Sequence, residues 1–127
     1  ISLFFSLMTT YPEVFSVGVA GGPVIDWKWY EVMYGERYMD TPETNPEGFE
    51  LTSLTGKAPD LGGKLLICQG AIDNTVVWEH SLSFVQRCIE EGVQLDYFPY
   101  PMSEHNVFGE WRIHLHQKIT DYFDAWL

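Results

Sequence analysis

Apolar residues in the last part of the chain recur every three or four positions. Trp111, Leu115, Ile119, Phe123 and Trp126 form one stripe and predict a helix over Glu110 to Trp126. The same period predicts a helix over Glu79 to Glu91, with Leu82, Val85, Cys88 and Ile89 facing inward and Gly92 as its stop. Residues 1–10 are mostly apolar and helical in pattern, and Tyr11-Pro12 ends them. Phe15 to Ala20 is small and β-branched, bounded by Gly21-Gly22-Pro23, and predicts a short buried strand. Leu65-Leu66-Ile67-Cys68, set between glycines, fits a central parallel strand buried on both faces. Val93 to Phe98 alternates as a strand. From Trp27 to Tyr38 the spacing is helical and aligns Trp27, Tyr30 and Tyr34 on one face. Thr41 to Gly48 and Pro99 to Gly109 carry the Pro, Asn and Gly of loops.

Strands alternating with helices predict an α/β fold with a parallel sheet. Three strands make an incomplete sheet for that class. Ile1 begins in mid-pattern, with no capping residue ahead of it. The chain is therefore expected to be a piece of a longer protein. No signal peptide is visible at its start.

Composition narrows the function classes. The 127 residues suit one domain, and 46% hydrophobic against 20% charged residues exclude disorder as the main state. Seven Lys and Arg against 18 Asp and Glu give a net charge of −11. Such a surface repels phosphate backbones and anionic membranes, so a nucleic-acid partner is not expected. No apolar run reaches the length of a membrane span. Cys68 and Cys88 make no disulfide framework and are expected as buried free thiols.

In open α/β sheets, functional loops lie beyond the carboxyl ends of the strands. Gln69 to Val76 follows one predicted strand and Pro101 to Asn106 follows the next. Asp73 in the first loop and His105 in the second could meet above the sheet, the carboxylate fixing the imidazole tautomer. By residue type alone, an Asp in a Gly-rich turn is also an ordinary turn former, and a loop His an ordinary surface residue. The ring stripe likewise reads as core packing or as a binding face. His114 and His116 are two apart on a helix and make poor co-ligands. His80 stands alone.

The chain resembles the C-terminal part of the catalytic domain of prolyl oligopeptidase-type serine peptidases. Within that family it is most similar to the dipeptidyl peptidase IV branch and its bacterial prolyl tripeptidyl aminopeptidases. The resemblance is carried by Tyr11 to Phe15, Val17 to Val24, Tyr34 to Met39, Gln69 to Val76 and Ser103 to Val107. It implies an α/β-hydrolase fold, truncated here just after the nucleophile elbow over residues 1–127. It implies cleavage after proline near peptide N-termini, with no metal or cofactor. It places Asp73 on the triad acid and His105 on the triad base. It places Val24, Trp27, Tyr30, Tyr34 and Val76 on the pocket for the proline ring, with Arg37 nearby. Thr75 stands where dipeptidyl-type members carry Asn beside the substrate carbonyl, a departure that favours the tripeptidyl branch. Ser2 and Ser6 lack elbow glycines, so the nucleophile is expected upstream of Ile1. This stretch alone is then expected to be inactive and to associate as a homodimer or exchanged oligomer. Many family members work outside the cytoplasm, which suggests a periplasmic setting.

Two other readings stay open. A different α/β-hydrolase, such as an esterase, would share Asp73 and His105 without needing the aromatic box. A non-catalytic interaction module with an aromatic face would leave Asp73 and His105 far apart.

Overall fold

Lys64–Gly70 is the middle strand of a three-stranded sheet, flanked in parallel by Val17–Gly21 on one side and Asp96–Tyr100 on the other. These strands are β2, β1 and β3 in a computed structural model that describes residues 2–127. Leu66 pairs with Val19 on one side and Asp96 on the other. The helices are α1 (Ser2–Thr10), α2 (Val32–Met39), α3 (Pro46–Thr52), α4 (Glu79–Glu90) and α5 (Glu110–Trp126), with 3-10 turns at Trp27–Trp29 and Thr55–Asp60. The architecture is the predicted one, an open parallel sheet with flanking helices.

The middle strand is buried from Leu65 to Gly70, so successive side chains enter different cores. Leu65 and Ile67 join Phe5 and Met8 of α1 and Phe84 and Cys88 of α4 on one face. Phe5 and Phe84 meet edge to face, centroids 5.1 Å apart. Leu66 and Cys68 turn to the other face, beneath Tyr100 and the Leu115 and Tyr122 side chains of α5.

The structure changes several expectations. The inner face of α4 is His80, Ser81, Phe84 and Cys88, whereas Leu82 and Ile89 are exposed. Two polar residues go inside because each finds a hydrogen-bond partner there, and the apolar pattern does not report that. β3 runs on through Pro99. Proline is tolerated because β3 pairs on one side only among the described strands. Asn45 and Pro46 start α3, the Asn side chain accepting from the Gly48 amide at 3.2 Å. Trp27, Tyr30 and Tyr34 do not share one helix, because Tyr30 is extended (φ −83°, ψ 167°) between a 3-10 turn and α2.

Several apolar side chains of α5 are exposed, among them Trp111 at 51% and Ile113 at 73%. Among the described residues, no helix is long and apolar enough to cross a membrane.

Both cysteines are free and buried. Burial pushes each thiol up to about 11, for Cys68 against a downward pull from Lys118. Both thiols should therefore resist Ellman's reagent at about pH 8 until the chain is denatured. Fast reaction of either in the native state would contradict this packing.

Candidate active site

The parallel sheet aims the carboxyl ends of β2 and β3 at the same edge, where the loops after them are stitched together. The Ala71 amide donates to the Tyr100 carbonyl at 2.9 Å, and the Ile72 amide to the Ser103 carbonyl at 3.2 Å. Gly70 makes this approach possible. A Cβ there would overlap the carbonyl oxygens of Ser103 and Glu104. The loop that carries His105 is thereby held against the turn that carries Asp73.

Asp73 is buried, its side chain only 1% exposed. A carboxylate in that position needs donors at both oxygens. Oδ1 accepts from the amides of Thr75 and Val76, each at 2.8 Å. Oδ2 bonds Nδ1 of His105 at 2.8 Å. An ionised carboxylate only accepts, so Nδ1 is the donor and carries the ring proton. Nε2 of the neutral ring then keeps its lone pair, on a side chain 38% exposed. This arrangement can take a proton at Nε2 while the carboxylate steadies the imidazolium.

The supporting contacts come from residues that neither hydropathy nor motif spacing singles out. Gln69 is buried and donates Nε2 to the Val76 carbonyl at 2.7 Å, while its Oε1 accepts from the Ser81 hydroxyl. Val76 is thus fixed at its amide by Asp73 and at its carbonyl by Gln69. A polar Gln ending an apolar strand was the available signal. Gly22 completes the surround with φ +55°. A Cβ on it would sit 3.2 Å from Cε1 and 3.3 Å from Nδ1 of His105. Its amide donates to the Cys68 carbonyl at 2.9 Å, so the ends of all three strands enclose the pair.

The aromatic residues gather into a separate cluster. The Trp27 and Tyr34 rings stack with centroids 5.9 Å apart. Tyr30 meets Trp27 at 5.3 Å and Tyr34 at 5.5 Å, edge to face in both cases. Asp26 starts the Trp27–Trp29 turn by accepting from the Lys28 amide at 3.0 Å. Val24 is half-buried, Val76 is buried, and Thr75 is exposed beside Asp73. The guanidinium of Arg37 lies over the Tyr38 ring, 5.6 Å from its centroid. The structure therefore joins Asp73 directly to His105, Thr75 and Val76, and joins Trp27, Tyr30 and Tyr34 to one another. Among the described residues, no cluster of three or more His, Cys, Asp or Glu is placed to hold a metal ion.

The chain is similar to known proteins over nearly its whole length. The profile of the prolyl oligopeptidase family matches residues 3–127. Two curated relatives, each named "Probable dipeptidyl-aminopeptidase B", come from Talaromyces marneffei and Aspergillus oryzae. They are 32% and 37% identical over 117 residues, covering 91% of this chain and 13% of theirs. The chain thus spans about an eighth of the length of these relatives. Among solved structures, a "putative dipeptidyl aminopeptidase IV" from Bacteroides ovatus aligns with a TM-score of 0.97 at 53% identity, over 99% of this chain and 18% of that one. Dipeptidyl peptidase 4 from Porphyromonas gingivalis aligns with a TM-score of 0.93 at 28% identity, over 97% and 18%.

Replacing Gly22 by Ala should strain the positive-φ turn by about 1–2 kcal/mol and push the added methyl against the imidazole. The His105 Nδ1 proton should give a slowly exchanging NMR resonance in the wild type that broadens in the variant. An unchanged resonance would show that Gly22 does not set the ring.

Proposed function

The chain belongs to the prolyl oligopeptidase family, and we propose that it supplies the acid, the base and the proline pocket of a serine peptidase. The observation that carries this reading is the Nδ1–Oδ2 bond of 2.8 Å between His105 and Asp73, with Oδ1 already taken by two amides. That arrangement holds the imidazole in the tautomer that a hydroxyl nucleophile needs. Among the described residues no serine hydroxyl bonds His105. Resemblance to the family supports assigning the nucleophile to a serine outside residues 1–127.

The reaction is acyl transfer. The serine oxygen attacks the carbonyl carbon of the proline residue, and its proton passes to Nε2 of His105. Asp73 stabilises the imidazolium that forms. His105 then returns the proton to the leaving amine as the peptide bond breaks. Water repeats the sequence on the acyl-enzyme and frees the N-terminal fragment. Trp27, Tyr30 and Tyr34, with Val24 and Val76, form the apolar receptor for the flat pyrrolidine ring, which lacks an N–H to satisfy.

The substrate is a peptide with a free N-terminus and proline at the cleavage site, released as a di- or tripeptide. The names of the relatives support the dipeptide, and Thr75 favours the tripeptide. Residues 1–127 alone lack the nucleophile and do not turn over. The apolar residues exposed on α5 support association with a second copy. Similarity to the family supports an extracytoplasmic setting.

In the intact protein, Asp73→Asn should lower kcat about 10³- to 10⁴-fold with KM nearly unchanged, since the amide favours the wrong tautomer. Trp27→Ala should instead raise KM for proline substrates about tenfold or more and leave ester substrates that lack proline little affected. A panel of di-, tripeptidyl and ester substrates reads both. Ester turnover without proline dependence would replace this reading with a general esterase.

A further inference from the structure

His80 lies on the first turn of α4 and is fully buried, yet it takes no part in the proton transfers above. Its Nδ1 is the acceptor for two consecutive amides far away in sequence, Ile25 at 3.2 Å and Asp26 at 3.4 Å. Because Nδ1 accepts, the neutral ring carries its proton on Nε2. Burial outweighs the carboxylates of Asp26, Glu79 and Asp73 and holds the ring below the usual histidine range, so the Nδ1 lone pair persists at neutral pH.

The two amides belong to the segment that delivers the aromatic cluster. Val24 precedes Ile25. Asp26 caps the 3-10 turn that begins with Trp27, and its carboxylate also receives the Ser53 hydroxyl at 3.1 Å. The next residue on α4, Ser81, donates to Gln69, which holds Val76 beside Asp73. One helical turn therefore reaches the aromatic segment through His80 and the acid turn through Ser81.

We infer that His80 is a positioning residue for substrate specificity: as a hydrogen-bond acceptor it sets the Ile25–Asp26 backbone, and with it Val24 and Trp27, against the acid turn. This rests on the pocket assignment made under the proposed function. The test compares His80→Asn with His80→Leu in the intact protein. The two side chains share a shape, but only Asn offers an oxygen where Nδ1 stands. Both lose the ring, so a purely structural role would lower Tm and kinetic performance equally in the two.

With a proline-containing peptide substrate, His80→Leu should raise KM about tenfold over His80→Asn, with kcat changed by no more than about twofold. Labelling of the nucleophile by a small fluorophosphonate, which needs Asp73 and His105 but no proline pocket, should proceed at similar rates in both variants. Equal KM values for Asn and Leu would overturn the inference, as would a parallel loss of labelling. If His80→Leu does not fold, His80→Gln displaces the acceptor by one carbon and should show the same KM increase over Asn. A wild type that reacts with the fluorophosphonate but ignores proline substrates would overturn the pocket assignment itself, and the inference with it.

Discussion

A carboxylate sealed beneath a protein surface is stable only when donors reach both of its oxygens, and Asp73 meets that demand in a way that orders everything around it. Two donors are amides of its own turn. The third is an imidazole from a different loop. The first two fold the turn tightly over the end of the middle strand. The third ties that turn to the neighbouring strand. Gln69 reaches the same turn from below through the Val76 carbonyl. Because these contacts share one short segment, displacing the carboxylate would disturb the imidazole, the turn and the apolar wall together.

Parallel strands are what make the arrangement possible. Both chain reversals occur at the same edge, so an acid and a base 32 residues apart meet without any long loop. Two glycines set the clearance. Gly70 lets the loops close, and Gly22 lets the backbone after β1 pass beside the ring. Neither position tolerates a side chain without moving the imidazole. The aromatic cluster then hangs from the same strand end, on a segment anchored by amide contacts to a buried histidine.

Much of this was legible in the residues, and the exceptions have physical causes. The α5 stripe gave the helix its bounds because nothing competes with a clean 3.6-residue period. The glycine-bounded apolar run gave the middle strand. The order of strands and loops brings Asp73 and His105 to one edge, while the pocket role proposed for the aromatic residues rests on resemblance. The apolar period misplaces the inner face of α4, because His80 and Ser81 are buried with hydrogen bonds that hydropathy does not encode. Thr41 to Gly48 has the composition of a loop, yet Asn45-Pro46 within it starts a helix. Trp27, Tyr30 and Tyr34 have helical spacing, yet the cluster forms through an extended residue between two short elements. Gln69, Gly22 and Gly70 act through backbone atoms of distant loops, a relation visible only once the chain is folded.

The most direct measurement is a crystal structure of the intact protein after reaction with a proline-based phosphonate. The account predicts phosphorus bonded to a serine outside residues 1–127, Nε2 of His105 within about 3 Å of that serine oxygen, and the pyrrolidine ring against Trp27 and Tyr34. A serine bonded to a different histidine, or a pyrrolidine seated away from those rings, would contradict it.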